Sequence, residues 1–337
     1  MRSHRYDFQL QDLARVIGPP LVAMSLFAAL AHGLAALRVL PPPRPTLDTD
    51  RTILVHQVEA SRSPQAAEVV LIGDSSCLMD VSALELGRRL GHPALNLGTL
   101  SYLDLNAYAA LVQEYARANP GRLRVLVLLL HPEALRRASP ESYYVGLLQD
   151  LLKQKVARAN GDYLHGEAVG LLGLGYVRDC CLARVLPVPL TGAFGRRYGF
   201  TTDLDKYLKL HGGSLVEPET KRSFRGNAEY RLAASLQKAS RAFRAAVPPG
   251  CKLVAGITPA PAEFVRPIYR QDYAVMLEQW SQWLRADAAL RGLPATLPGR
   301  YFAKTTHLNE GGMAAYTSLV ASNLAALHLL DSMKIEN

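Results

Sequence analysis

Four short apolar runs, each bounded by polar or turn residues, constrain the fold more than any other feature of this chain. They cover residues 69–72, 94–97, 125–130 and 252–257. Their apolarity is nearly continuous rather than alternating, which predicts strands covered on both faces, as in a parallel sheet. Helical patterns lie between or after them, over residues 81–90, 103–119, 230–246, 272–289 and 311–330. This alternation predicts an α/β fold in which helices sandwich a doubly wound parallel sheet.

Residues 140–226 interrupt the alternation. Residues 141–160 have a helical pattern, and the stretch that follows is rich in glycine, proline and aromatic residues. We therefore expect a mostly helical and loop insertion between the third and fourth strands, which caps the site or contacts a partner. An ordinary surface excursion is the alternative interpretation.

The N-terminal region carries a long stretch without charge. No residue from Val16 to Leu37 is charged, and about 20 apolar residues suffice for a helix to cross a bilayer. We predict an uncleaved transmembrane anchor over residues 16–38, after a cytoplasmic N-terminus at 1–15. A buried or amphipathic helix of a soluble protein is the alternative. The remaining expected divisions are a proline-rich stalk and linker at 39–65, a domain at 66–330 and a tail at 331–337.

The charge and the cysteines narrow the partners. The net charge of +9 is spread along the chain, which favours anionic lipid headgroups or acidic polymers. No RNA-binding signature, zinc-ligand spacing or basic tail is present, so we expect no nucleic-acid partner, no metal and no cofactor. Four cysteines in 337 residues do not make a disulfide scaffold.

Three separated segments carry groups suited to acyl transfer. The first predicted strand runs into Gly73-Asp74-Ser75, the second closes on Asn96-Leu97-Gly98, and Thr306-His307-Leu308-Asn309 lies near the C-terminus. A serine at a strand-to-helix turn exposes its hydroxyl and directs its amide at an oxyanion. A histidine can take the serine proton and return it to a leaving group. The competing interpretations are a helix N-cap for Ser75 and a helix-capping role for His307.

These segments resemble the SGNH/GDSL hydrolase superfamily, in particular its membrane-anchored members that help O-acylate bacterial surface polymers. The resemblance covers roughly residues 66–330 and implies a flavodoxin-like sheet, a Ser75 nucleophile and a His307 base. It implies oxyanion donors at the amides of Ser75 and Gly98. Asp74 and Asn96 are expected to support the turn and the site structurally, and Ser76 is disfavoured as the nucleophile.

Two positions depart from the family pattern. Lys304 occupies the place of the usual aspartate, three residues before His307, so His307 acts in a Ser-His dyad or takes its orienting acceptor from elsewhere. The strand at 125–130 runs into His131 instead of supplying the usual asparagine. His131 is therefore a candidate oxyanion donor, and a satisfied wall histidine is the alternative.

The resemblance implies an O-acyltransferase or esterase, with acetyl as the expected group and an extracytoplasmic polysaccharide as acceptor. It also implies a domain on the periplasmic side of the inner membrane and a multi-span membrane acyltransferase as partner. The alternative from another class is an inactive accessory protein that binds polysaccharide within such a complex. A secreted lipase of broad specificity is a third possibility, which requires a cleaved N-terminus.

Overall fold

The structure is a computed structural model that describes residues 10–37, 39, 44–136, 140–153, 187–220 and 223–330. The chain divides into two compact units. One unit comprises residues 1–47 and 150–187, and its described part is chiefly a single helix. The other comprises residues 48–149 and 188–337 and contains the sheet and all the residues of the candidate site.

A five-stranded parallel sheet organises the larger unit. The strands of the described residues are β1 (Val69–Gly73), β2 (Ala94–Asn96), β3 (Val125–Leu130), β4 (Lys252–Ile257), β5 (Ala260–Pro261), β6 (Ala288–Ala289) and β7 (Thr296–Leu297). The main sheet has the order β2-β1-β3-β4-β6, and all its neighbours pair in parallel. β5 and β7 form a separate parallel pair. The prediction of a parallel sheet flanked by helices is confirmed.

The helices of the described residues lie before, between and after these strands. They are α1 (Leu10–Ala36), α2 (Thr49–Arg62), α3 (Ser75–Asp80), α4 (Ala83–Leu90), α5 (Leu105–Ala118), α6 (Pro132–Arg136), α7 (Ser142–Leu152), α8 (Gly192–Tyr198), α9 (Thr201–Leu210), α10 (Leu236–Ala246), α11 (Tyr269–Leu284) and α12 (Glu310–Ala326). A 3₁₀ turn covers Gly299–Tyr301.

The central strands form the core. Every residue of β1 and of β3 is buried, because a strand between two helical layers has no solvent face. Strand β1 pairs with β3 from Val69 opposite Val125 to Gly73 opposite Leu129. Their carboxyl ends therefore meet at one edge, where ligands bind in open parallel sheets. The next residues in the chain, Asp74 and His131, emerge there.

The linker predicted at 39–65 is wrong for its second half. Residues Thr49–Arg62 form α2, in which ten of the fourteen residues are buried, and Asp48 caps its first turn by accepting from the amide of Arg51 at 2.8 Å. Burial of most of its surface weakens the one-sided hydrophobic period by which a surface helix is recognised. The prolines before it therefore dominated the prediction.

Two other helix predictions need correction. Residues 230–235 lie outside α10, which begins at Leu236. The pattern at 272–289 combines two elements, because α11 ends at Leu284 and residues Ala288–Ala289 form β6 at the sheet edge. Arg285 ends α11 in the left-handed conformation, with φ 48°.

The structure describes parts of the N-terminal region and of the predicted insertion. Within the described residues, no helix combines the length and apolarity needed to cross a membrane, so the predicted anchor at 16–38 is not supported. Helix α1 spans most of that stretch and contains Pro19 and Pro20. The described part of the predicted insertion includes α7, α8 and α9. Residues 154–186 and the tail at 331–337 lie outside the described residues.

Candidate active site

Ser75 begins α3 directly after β1, and Asp74 fixes this turn. The buried carboxylate of Asp74 accepts from the amide and hydroxyl of Ser76 at 3.0 and 2.6 Å and from the amide of His131 at 3.0 Å. Thr258, just after β4, donates to the Ser76 hydroxyl at 3.0 Å. This network ties together the ends of three neighbouring strands. It assigns Asp74 and Ser76 to the support of the turn and leaves Ser75 partly exposed.

His307 lies on a tight turn before α12. Its carbonyl accepts from the amides of Ala303 and Lys304 at 3.0 and 3.1 Å. The next amide, of Leu308, donates to the buried carboxyl of Asp80 at 2.7 Å. Burial raises the pKa of Asp80 well above its usual range. Asp80 therefore attaches the histidine turn to the end of α3, the helix that begins with Ser75.

The two expected catalytic side chains meet. Nε2 of His307 lies 2.9 Å from Oγ of Ser75, although 232 residues separate them in the chain. The His307 side chain is 12% exposed, so it is largely shielded from solvent. The distance lies within the range in which a general base takes a proton from a serine.

An unexpected carboxylate completes the arrangement. Oε2 of Glu217, in the segment after α9, lies 2.7 Å from Nδ1 of His307, and the Glu217 side chain is 1% exposed. A carboxylate at Nδ1 places the ring hydrogen on that nitrogen and leaves Nε2 free to accept from Ser75. The described residues thus form a continuous Ser75–His307–Glu217 chain. The Ser-His dyad considered for this sequence is not what the structure contains.

Lys304 belongs to the same network. Its Nζ lies 3.2 Å from Glu217 Oε2 and 2.8 Å from Glu219 Oε2. Burial acts to raise the pKa of Glu217, but hydrogen bonds from His307 and the Glu219 amide, together with Lys304, outweigh it and lower that pKa. Lys304 stands where an aspartate was expected and stabilises the ionised form of a carboxylate that comes from elsewhere.

The segment carrying Glu217 is attached to the rest of the site by backbone contacts. The amide of Leu215 donates to the carbonyl of Leu78 in α3 at 3.0 Å. The Tyr198 hydroxyl donates to the carbonyl of Val216 at 2.6 Å and accepts from its amide at 3.2 Å. Gly213 has φ +81°, and a Cβ there would lie 2.1 Å from the carbonyl oxygen of Asn96. Only glycine allows this close approach to the end of β2.

The structure does not bring the Gly98 amide to the site. That amide donates to Asn96 Oδ1 at 2.8 Å, and the Gly98 carbonyl accepts from Gln57 at 2.7 Å. Asn96 is fully buried and also donates to the carbonyl of Cys77 at 2.8 Å. Asn96 and Gly98 therefore stabilise the loop through buried hydrogen bonds. The oxyanion role expected for Gly98 is wrong in this geometry, because its only donor is already used.

Ser101, further along the same loop, contacts Ser75. Its Oγ lies 2.8 Å from Ser75 Oγ. With His307 Nε2 accepting from Ser75, the consistent direction is donation from the Ser101 hydroxyl to Ser75. The amide of Ser75 makes no backbone hydrogen bond within the described chain, as is usual at the first position of a helix. Ser101 was missed because an isolated serine in a loop carries no sequence signal.

His131 lies in the wall of the site. Nδ1 accepts from the amide of Glu133 at 3.1 Å, so the ring hydrogen is on Nε2. That atom is buried and has no hydrogen-bond partner within the described part of the chain. Burial, assisted by nearby His307, lowers the pKa of His131 to about 3, against a small opposing effect of the Thr305 carbonyl. His131 is thus a buried, neutral side chain whose N–H faces the Thr305 carbonyl without an aligned hydrogen bond, and it remains a candidate oxyanion donor.

Neither thiol nor metal chemistry is indicated among the described residues. They contain no group of three His, Cys, Asp or Glu side chains placed to hold a metal ion. Cys77 lies two residues after Ser75 but is fully buried, and this burial raises its thiol pKa well above the usual range. Cys251 is also a buried free thiol.

Comparison with known proteins adds no relative to this geometry. No family model matches the chain, and no curated protein matches it either.

Proposed function

We propose that this chain is a serine acyltransferase or esterase of the SGNH type, with Ser75 as nucleophile, His307 as general base and Glu217 as the orienting acid. One observation carries the proposal: Ser75 Oγ, His307 and Glu217 are joined by contacts of 2.9 and 2.7 Å. This order of groups activates a serine hydroxyl at neutral pH. The strand order β2-β1-β3-β4-β6 supports a flavodoxin-like, doubly wound fold for it.

The reaction begins when Ser75 Oγ attacks the carbonyl carbon of an acyl ester and its proton passes to His307 Nε2. The tetrahedral intermediate collapses, the ester C–O bond breaks, and His307 returns the proton to the departing alcohol. The acyl group is then on Ser75. A second hydroxyl, from a sugar or from water, loses its proton to His307 and attacks the acyl carbon. The bond between the acyl carbon and Ser75 Oγ then breaks, and His307 returns the proton to Ser75. Glu217 stabilises the imidazolium that forms in each half.

Two donors are candidates for the oxyanion. The amide of Ser75 lies at the positive end of α3, and His131 lines the same cleft. Each donor directed at the developing charge contributes about 100- to 1000-fold in rate. Because His131 is neutral over the physiological range, it donates without introducing a charge that would bind a ground-state anion.

The acceptor and the cellular placement rest on the resemblance to surface-polymer acylation systems. We propose an extracytoplasmic polysaccharide as acceptor and acetyl as the transferred group. We further propose a periplasmic domain held at the inner membrane by residues 16–38, with a multi-span acyltransferase as partner. The charge-free stretch from Val16 to Leu37 is the observation behind this arrangement, and the lack of a sufficiently long and apolar helix among the described residues weighs against it. Alkaline carbonate extraction tests it, because a peripheral protein is released while an integral one stays with the membrane.

Labelling with a serine-directed fluorophosphonate tests the chemistry on the full chain. We expect a stoichiometric adduct on Ser75, located by peptide mass spectrometry, and none in Ser75→Ala or His307→Ala. The matched control is Ser76→Ala, which removes the neighbouring buried hydroxyl and should retain the adduct. A folded wild-type chain without an adduct on Ser75 would contradict the proposal and favour an inactive, polysaccharide-binding accessory protein.

A further inference from the structure

The cleft in front of Ser75 has a volume of about 560 Å³, which is large enough for sugar units beside the acyl ester. The ionisable residues that line the cleft are mostly acidic. The lining residues include the carboxyl groups of Asp50, Asp74, Glu133 and Glu217, whereas Lys304 is their only lysine or arginine. The cleft thus differs in sign from the chain, which carries a net charge of +9.

Most of these charged groups have partners nearby. Lys304 forms ion pairs with Glu217 and Glu219. Glu133 pairs with Arg136 at 2.6 Å, and Asp74 is satisfied by the hydrogen bonds of the serine turn. Asp50 differs from these groups, because within the described residues it forms no ion pair and has one side-chain hydrogen bond, from Tyr144.

Asp50 lies in the first turn of α2 and lines the cleft. It accepts from the Tyr144 hydroxyl at 2.9 Å, and no lysine or arginine within the described residues forms an ion pair with it at 4.0 Å or less. The adjacent Arg51 is directed to Asp48 and Tyr143 instead. Burial, together with Asp48 and Glu141, raises the pKa of Asp50 against the effects of Tyr144 and Arg51. A further anion placed here would meet repulsion from each of these carboxyl groups.

An aromatic face stands beside this carboxyl group. Tyr102 lines the same cleft, is 38% exposed and stacks on Tyr144 with ring centroids 4.9 Å apart and planes at 17°. Tyr144 thus holds Asp50 through its hydroxyl and Tyr102 through its ring. The Asp50 carboxyl group, which accepts hydrogen bonds, is thus held next to the flat apolar face of Tyr102.

We infer that Asp50 and Tyr102 form a subsite for the acceptor sugar, and that this subsite selects rings that carry hydroxyl or amine groups and rejects rings that carry a carboxylate. The inference deepens the proposed function, on which it rests for the choice of a sugar. A carboxylate side chain accepts from hydroxyl or ammonium donors, while a tyrosine face packs against the C–H side of a ring. Rejection of uronates follows from like charges brought together in a half-buried site. The basic charge spread along the chain had suggested acidic polymers as partners, whereas the acidic lining of the cleft favours sugars without a carboxylate.

Binding to the full-length Ser75→Ala protein tests this without any need for turnover. Isothermal titration is carried out with tetrasaccharides of β-1,4-linked glucose, glucosamine and mannuronate. We expect the glucose and glucosamine tetramers to bind at least about tenfold more tightly than the mannuronate tetramer, as like-charge repulsion of roughly one to two kcal/mol requires. Asp50→Asn should reduce this difference in affinity. Asp50→Lys should make the mannuronate tetramer the tighter ligand.

The control is Asp203→Asn, which removes an exposed carboxylate of α9 that does not line the cleft and should leave all three affinities unchanged. Mannuronate binding as tight as glucose binding would overturn the inference. So would ratios unaffected by Asp50→Lys, or no binding of any tetramer at millimolar concentration. Because labelling of Ser75 is measured separately on the wild-type chain, loss of the subsite and loss of the catalytic chemistry are distinguishable.

Discussion

The turn at residues 73–77 and the segment at 213–219 each supply one end of the same Ser-His-Glu chain, but they are positioned by different means. The first is part of the sheet: β1 leads into it, and the buried Asp74 ties it to the ends of β3 and β4. The second lies outside the sheet. It is attached through Gly213 beside Asn96, Leu215 on the carbonyl of Leu78, and the hydroxyl of Tyr198.

This difference separates stability from activity. A defect in the first segment disturbs the junction of three strands and therefore the whole domain. A defect at Glu217 should change the orientation of His307 while the sheet stays folded, because the mostly buried segment at 213–219 belongs to none of the strands. Substitutions at Glu217, Asp74, His131 and Tyr198 can sharpen or break this distinction.

The largest expected effect is that of Glu217→Gln on labelling. The substitution keeps the shape but removes the negative charge that fixes the His307 tautomer, so the rate of Ser75 labelling should fall by about 10³- to 10⁴-fold. The midpoint of urea unfolding should change little. The matched control is Glu219→Gln, a 58% exposed partner of Lys304, which should label at nearly the wild-type rate. A loss of less than tenfold in Glu217→Gln would favour a Ser-His dyad.

Asp74→Ala should have the largest effect on stability. It leaves the Ser76 amide, the Ser76 hydroxyl and the His131 amide without their buried acceptor, at about 1–3 kcal/mol for each unsatisfied group. We expect the free energy of unfolding to fall by about 3 kcal/mol or more, measured by urea denaturation followed by circular dichroism. Asp203→Ala, at an exposed position, serves as control. A loss below about 1 kcal/mol would show that the strand junction does not depend on Asp74.

His131 should make the domain acid-sensitive. Its pKa is about 3 in the folded state against 6.5 as the reference value, so between these values the unfolded chain binds the additional proton. Stability therefore falls as pH decreases from about 6.5 toward 3, by about 1–2 kcal/mol between pH 7 and pH 5.

His131→Asn should reduce that part of the loss when unfolding free energies are compared at the two pH values. His328→Asn is the matched control, because His328 is exposed and asparagine tolerates its φ of 51°. An unchanged pH dependence in His131→Asn would mean that His131 is not buried in its neutral form.

The smallest expected effect is that of Tyr198→Phe. It removes one hydroxyl that bonds Val216 twice, which should cost about 1 kcal/mol in stability and reduce the labelling rate by less than Glu217→Gln does. Tyr301→Phe makes the same chemical change at a position where no hydroxyl hydrogen bond is described. If Tyr198→Phe instead unfolded the domain, the segment at 213–219 would belong to the cooperative core, and the proposed separation would fail.

The sequence predicted the parts of the site that are local in the chain. β3 and β4 have the predicted bounds, β1 is longer by one residue and β2 shorter by one, since continuous apolarity marks strands that are buried on both faces. Ser75 was found because its turn directly follows such a strand. Glu217 was not, because it lies 90 residues from His307 and only tertiary contacts bring the two together.

The misassigned segments have equally specific causes. Helix α2 is buried over most of its surface, so its amphipathic period is weak, and the prolines before it suggested a linker. Gly98 was chosen as a donor on the assumption that a glycine after a strand presents its amide to the ligand. Here the buried Asn96 side chain takes that amide first.

The origin of Glu217 outside the sheet has a consequence for the proposed chemistry. If Ser75, His307 and Glu217 act as proposed, exchanging or shortening the segment between β3 and β4 would remove the orienting carboxylate while the serine turn and the histidine turn stay unchanged. The residue three positions before His307 is Lys304, so that position alone does not show whether the histidine has a carboxylate partner.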